Sequence, residues 1–572
     1  MFNPARSRFF GRTLYAGLSL LVLATQPAGA ADSGLRYSKE FKTAQSAAQF
    51  HVLAGELAAK RQQPQVAAEQ FLEALTITAD AELAQRATTY ALVSKNDALI
   101  LKTAKRWLEL EPTSLDAREV IARAALRQGA LAEAKAQCEA IIRDNAGGEA
   151  DGFRLVALLY AQEPAHAEAA LKILTQLVSQ WPKLPGAYYA QGLLSLRYAK
   201  LEPAEVAARS ALKLDPAYAD ALLLLASTQV KQGRIEAADQ TLEQLAAVSS
   251  NRTAVRMGYV SLLLESHQAE AAKRQYLMVL RAEPGHADAR FGLGLLALDA
   301  QALDEAATYF KPLAADAESS RRNEAAYYLG RIAQTQRRGA EALRWYEQVD
   351  TGYQALDAAL RRADLLAHSG RLDDGRALLQ QLREQYPAGT GRFAATEAQL
   401  LLDAGKNAEA LAVLDAELGE DPNDGELLYA RSLVHERAKR MDAAESDLRR
   451  ILVKKPDDAR ALNALGYLLT VNTTRYTEAR SLITKALELE PADAAIQDSM
   501  GWVLFRQGLA AEARPYLEKA YEQQKEGEIA AHLGEVLWTL GEKDLARKLW
   551  QAALRDNPDH PVLRETVQRL SP

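Results

Sequence analysis

Small and apolar side chains return along this chain on a nearly fixed period. Alanine carries the repeat at Ala134, Ala170, Ala204, Ala238, Ala272, Ala306, Ala342, Ala410, Ala444, Ala479, Ala513 and Ala546, with steps of 33 to 36 and one double step. Inside the double step Gly375 supplies the small residue. A second apolar position follows four residues later, at Cys138, Phe310, Leu448, Ile483, Leu517 and Trp550. Residues four apart share one face of a helix, so both positions point into one core. The residues between are rich in Ala, Leu, Glu, Gln, Arg and Lys, which favour helix.

The ends of the helices are marked on the same period. Closing prolines stand at Pro112, Pro182, Pro216, Pro284, Pro387, Pro422, Pro456, Pro491 and Pro558, at near multiples of 34. Proline cannot continue a helix, so each one closes a unit. A third marker is Gly192, Gly294, Gly330, Gly466, Gly501 and Gly534, each at a near-constant offset ahead of its unit's alanine, as Gly501 is ahead of Ala513. Glycine inside a helix costs about 1 kcal/mol against alanine. Its recurrence there predicts a close approach between two paired helices. Short turns separate the pair, as at Gln232-Gly233, Ser369-Gly370, Ala404-Gly405, Gln507-Gly508 and Leu540-Gly541. There glycine can take left-handed dihedrals.

A helix-turn-helix of about 34 residues, with small residues at the crossing and proline behind, resembles the tetratricopeptide repeat. The resemblance implies an all-α, right-handed superhelical solenoid of about fifteen helical hairpins. Units should end near residues 78, 112, 146, 182, 216, 250, 284, 318, 352, 387, 422, 456, 491, 525 and 558. Such an array grows by stacking, so 572 residues need not mean several globular domains. We expect repeats over 45–558, a linker at 31–44 before them, and a capping helix and tail at 559–572, with the helix over Val562–Leu570. The turn at Asn472-Thr473-Thr474-Arg475 is longer by about a residue. Segments 249–256, 314–324 and 349–356 are polar and lack the closing proline. They are either ordinary variation or points of flexure, and the segment 146–152, with Gly147-Gly148, is the expected hinge.

The first thirty residues break the pattern. Arg6, Arg8 and Arg12 precede a mostly apolar run from Leu14 to Ala24, and Ala28-Gly29-Ala30 follows. That order predicts a secretory signal cleaved after Ala30 or Ala31, since the apolar run is short for a membrane span. Losing those three bases leaves 66 basic against 75 acidic residues, a formal charge of −9. An acidic surface argues against nucleic acid as a partner. Mean hydropathy is −0.23 and 25% of residues are charged, so the exported chain should be soluble in the periplasm, with any association with the outer membrane made through its partners. The lone Cys138 cannot make an internal disulfide, and its place in the repeat assigns it to packing.

No catalytic pattern emerges. The eight histidines, His51, His166, His267, His286, His368, His435, His532 and His560, include no pair at metal-ligand spacing on a helix. Nucleophile elbow, phosphate loop and dinucleotide fingerprint are missing. The expectation is a protein that binds other proteins or peptides, with no enzyme activity, cofactor or metal. First helices should line a concave groove. Towards the C-terminus that groove would carry Tyr429, Arg460, Asn463, Tyr467, Asp498, Trp502, Phe505, Arg506, Glu535 and Trp538. Aromatic and Arg side chains anchor interfaces, and Asn can grip a peptide backbone. The alternative for Trp502, Phe505 and Trp538 is packing between neighbouring helices.

Two runs carry a further resemblance. One is GELAAKRQQPQVAAEQFLEALTITADAELAQRATTYA, from Gly55, with Trp107 beyond it. The other spans 461–508 and 528–560, most tellingly through Asn463-Ala464-Leu465-Gly466-Tyr467 and Asp498-Ser499-Met500-Gly501-Trp502. Both are similar to the proteobacterial envelope family that includes LbcA, the lipoprotein partner of a periplasmic carboxyl-terminal processing protease. The resemblance implies a scaffold holding the protease and its substrates, peptidoglycan hydrolases. A lipoprotein needs a cysteine directly after the apolar run, and this sequence has none there. The lipid anchor therefore does not carry over. An assembly factor for an outer-membrane exporter of polysaccharide, pili or protein is the alternative expectation.

Overall fold

The computed structural model describes residues 43–571, so the expected signal and nearly all of the expected linker lie outside it. Among the described residues there are 31 α-helices, two short 3-10 turns and no strand. The first thirty helices pair into fifteen hairpins, from Ala44–Lys60 with Pro64–Leu75 to Gly527–Thr539 with Lys543–Asp556, and Pro561–Leu570 follows. The chain forms two compact units that meet in sequence at Ser250 and Asn251. Hairpins 1–6 belong to the first; hairpins 7–15 and the last helix belong to the second. No described helix is long and apolar enough to cross a membrane.

Proline and aspartate set the register between hairpins. Helices end at Glu420, Lys454 and Leu489, each two residues before Pro422, Pro456 and Pro491. The residue between takes an extended φ of −126° to −131°, as the following proline ring requires. Two residues past the proline, Asp424, Asp458 and Asp493 cap the next helix. Their carboxylates accept from the backbone N–H of Leu427 at 3.0 Å, Ala461 at 2.9 Å and Ile496 at 2.9 Å. One short sequence thus stops one hairpin and starts the next.

Within a hairpin the turn is nearly constant. Thirteen of the fifteen hold one residue in the left-handed region. Glycine fills it at Gly129, Gly233, Gly370, Gly405, Gly508 and Gly541, and seven hairpins put a larger residue there, Lys439 among them. The lengthened turn at 472–475 is one of the two exceptions.

The helix glycines answer to side chains as well as to backbone. A Cβ on Gly466 would sit 2.5 Å from Ile483 Cγ1 and 3.0 Å from the Ala479 carbonyl. On Gly501 it would meet Leu517 at 2.5 Å and the Ala513 carbonyl at 3.1 Å. At Gly294 and Gly534 the neighbours are the Phe310 and Trp550 rings. The large residue four beyond each alanine therefore seats in the space that glycine leaves. Cys138, at that same position, is fully buried, and its thiol donates to the Tyr160 hydroxyl at 3.0 Å. Burial pushes the thiol up to about 12, so the reactive thiolate does not form near neutrality.

Some segments depart from the regular pattern. The second helix of hairpin 9 is cut to Gly339–Tyr346, eight residues, ahead of the polar stretch 349–356. The expected hinge at 146–152 is a tight corner. Gly148 takes φ +88°, and a Cβ on Gly152 would lie 2.6 Å from the Ile142 backbone.

Candidate functional site

The second unit buries a continuous apolar cluster from Ala394 to Leu563. Four first helices of that region share a cavity of about 430 Å³. They are Gly425–Arg437, Ala459–Asn472, Ala494–Arg506 and the start of Gly527–Thr539, from hairpins 12, 13, 14 and 15. Side chains two hairpins apart meet here: the Tyr467 hydroxyl donates to the Glu528 carboxylate. In a curved stack only the inner side lets such distant elements touch. Four expected groove residues, Tyr429, Asn463, Tyr467 and Asp498, line the cavity.

Tyr429, Asn463 and Asp498 each stand three residues before the small residue of their first helix, Ser432, Gly466 and Gly501. The small residue lets the second helix pack tightly, and the residue one turn earlier is presented to the cavity. At this position the three hairpins carry three different polar groups. Asn463 holds its carboxamide oxygen out of water with no hydrogen-bond donor to it. An enclosed acceptor left unpaired costs about 1–3 kcal/mol. Tyr467 has its phenol pushed up by burial and by the neighbouring Glu528 charge, so it stays a donor.

Asp498, 6% exposed, is bound by a residue that sequence reasoning passed over. His532 Nδ1 lies 3.0 and 2.9 Å from its two carboxylate oxygens. His532 is itself 3% exposed. Burial alone would lower its pKa; the Asp498 charge and hydrogen bond outweigh that, and the imidazole is held above its ordinary value. Trp502 stacks on the imidazole with centroids 4.0 Å apart and planes at 17°. Phe505 stacks on Trp502 at 5.2 Å. Both aromatics stay partly open to solvent.

The other candidates have intramolecular partners. Arg460 lies over the Tyr429 ring at 4.2 Å and pairs with Glu426 at 2.6 Å. Arg506 donates to the Tyr476 hydroxyl at 2.9 Å. Glu535 pairs with Arg569 of the last helix at 2.6 Å. Trp538 stacks on Trp550 at 5.8 Å, with Lys543 and Arg547 each 5.0 Å from its ring centre. Arg506, Glu535 and Trp538 thus tie neighbouring helices together, whereas the cavity gathers Tyr429, Asn463, Tyr467 and Asp498.

Sequence reasoning missed Glu436, Glu526 and Glu528, which also line the cavity. Glu436 was legible in principle, since it stands seven residues after Tyr429 on the same helix face. Burial pushes its carboxyl up, and the Glu528 charge adds to that. Among the described residues no group of three or more His, Cys, Asp or Glu side chains is arranged to hold a metal ion.

Tetratricopeptide repeat models match residues 196–259, 260–320, 357–388, 396–459, 440–494 and 470–529, together more than half of the chain. The chain is a tetratricopeptide repeat protein. Proteins of this repeat are generally non-catalytic scaffolds for protein–protein interaction. The chain is similar to the TPR repeat-containing protein PA4667 of Pseudomonas aeruginosa, with 39% identity over 249 residues. That match spans 43% of this chain and 42% of the relative, so less than half of the curated relative is covered. Among solved structures, TTC0263 of Thermus thermophilus, a thermophilic TPR protein, shows 20% identity. It covers 32% of this repeat protein and 98% of its own chain at a TM-score of 0.29. PilF of Pseudomonas aeruginosa shows 25% identity, covers 36% of this chain and 92% of its own, and gives a TM-score of 0.23. Neither superposition carries functional weight.

Proposed function

We propose that this repeat protein is an adaptor of the bacterial periplasm that grips polypeptide partners on the first helices of hairpins 12–15. The observation that carries the reading is the shared cavity with its unpartnered Asn463 oxygen, an acceptor suited to a peptide N–H. Partly open aromatics at Trp502 and Phe505 adjoin it through His532 and supply apolar area for a bound chain. The signal-like order of residues 1–30 supports export. The similarity of 461–508 and 528–560 to the LbcA family supports a narrower role, presenting cell-wall hydrolases to a processing protease.

Affinity purification of the full-length protein from its own envelope fraction tests this reading. Mass spectrometry should find a processing protease or a peptidoglycan hydrolase enriched with the wild type and depleted with Asn463→Ala. Recovery of neither enzyme class, or equal recovery with the variant, would remove the adaptor role.

A further inference from the structure

Among the described residues of the second unit, every carboxylate that is almost wholly buried outside the cavity has an arginine. Glu397 receives Arg376 at 2.8 Å and Arg383 at 2.6 Å. Asp447 receives Arg431 through two bonds of 2.8 and 2.7 Å. The cavity of hairpins 12–15 is different. Glu436, Asp498, Glu526 and Glu528 line it, and no lysine or arginine does. His532 is bonded to Asp498, and the Glu528 charge also acts on it. Glu528 has a neutral donor in Tyr467, and Glu526 has the Gln524 amide at 3.1 Å. No hydrogen bond or ion pair from the described residues reaches the Glu436 carboxylate, and the charge acting on it is that of another acid.

We propose that this cavity takes the cationic side chain, lysine or arginine, of the bound polypeptide. The proposal rests on the reading of hairpins 12–15 as the gripping surface and names what that surface recognises. The lining has the two parts a basic side chain needs. Leu433, Ala444, Leu448, Leu468 and Ile529 form an apolar wall for the methylene stem. Glu436 and Glu528 supply charge-assisted acceptors for the head. Asn463 adds a neutral acceptor that already lacks a donor. A volume of about 430 Å³ admits one such side chain with water around its head. Lining carboxylates without lysine or arginine to balance them would repel an acidic segment, so the cavity selects as well as attracts.

Two fluorescein-labelled nonapeptides of glycine and serine test the assignment, one with three spaced arginines and one with citrulline in their place. Each is titrated against the full-length protein by fluorescence anisotropy. The arginine peptide should bind about tenfold more tightly, the scale of one charge-assisted contact. Glu436→Gln should remove most of that preference while its thermal midpoint stays at or above that of the wild type. Glu420→Gln, at an exposed carboxylate of hairpin 11, should change nothing and so exclude general attraction to an acidic protein. Equal binding of the two peptides, or equal effects of Glu436→Gln and Glu420→Gln, would overturn the assignment. Either result leaves the adaptor reading to its own purification test. A lower midpoint for Glu436→Gln would make Glu436 a structural residue and overturn it as well.

Discussion

Hairpin 12 holds two sheltered acids that are treated in opposite ways. Asp447, on the helix Met441–Lys454, is 3% exposed and gripped by Arg431, which also reaches Asp415 at 2.7 Å. Glu436, on the helix Gly425–Arg437, is half-sheltered and faces Glu528 with no cation at hand. The first arrangement finishes an interaction inside the chain. The second leaves one open, and an open acceptor persists in a fold where something outside completes it or where its cost is small. One hairpin thus carries both an acid closed off by an arginine and an acid left open to the cavity.

Removing the completed interaction should cost most. Arg431→Met removes both hydrogen bonds to the Asp447 carboxylate, leaving it Arg450 at 3.9 Å, and should destabilise the second unit by about 2 kcal/mol, read by urea denaturation. If the loss matched that of an exposed arginine, the contrast with Glu436 would collapse. The Asp498–His532 pair comes next. Because the His532 pKa is raised on folding, its contribution is complete below its ordinary value of 6.5 and is lost as pH rises through the higher folded value. Stability of the second unit should therefore decline as pH rises from 6.5 to that higher value, and His532→Gln should flatten the decline. Glu436→Gln, by contrast, relieves a like-charge approach and should be neutral or stabilising by less than about 1 kcal/mol. Smallest of all is Lys439→Gly, in the turn joining the two helices. Lys439 has φ +57°, and glycine should raise stability by about 0.5 kcal/mol after its greater unfolded-state entropy is counted.

The hairpins were legible because their determinants are local and repeat. The proline that stops a helix, the aspartate that caps the next and the alanine at the crossing all lie within one period of the sequence. The fit of Ile483, Leu517 and Trp550 against Gly466, Gly501 and Gly534 was half legible. The glycines announced a close approach, but which side chain fills it depends on where the turn returns the chain beside the first helix. The cavity was legible only in part for a different reason. Tyr429, Asn463, Tyr467 and Asp498 stand out as polar or aromatic residues at inner positions. Glu436, Glu528 and His532 look like ordinary helix residues until curvature brings hairpins 13 and 15 into reach. Trp538 and Glu535 are of types that suggest an interface, and within the chain Trp550 and Arg569 engage them.

Photo-crosslinking tests the central claim most directly, that the first-helix face of hairpins 12–15 grips protein. A benzophenone amino acid is placed at Tyr429, on that face, and separately at Val453, 79% exposed on the second helix of the same hairpin. After irradiation of intact cells, adducts are resolved by immunoblot and identified by mass spectrometry. A discrete protein adduct from position 429 and none from position 453 is the predicted result. Adducts from neither position, or the same adducts from both, would contradict it.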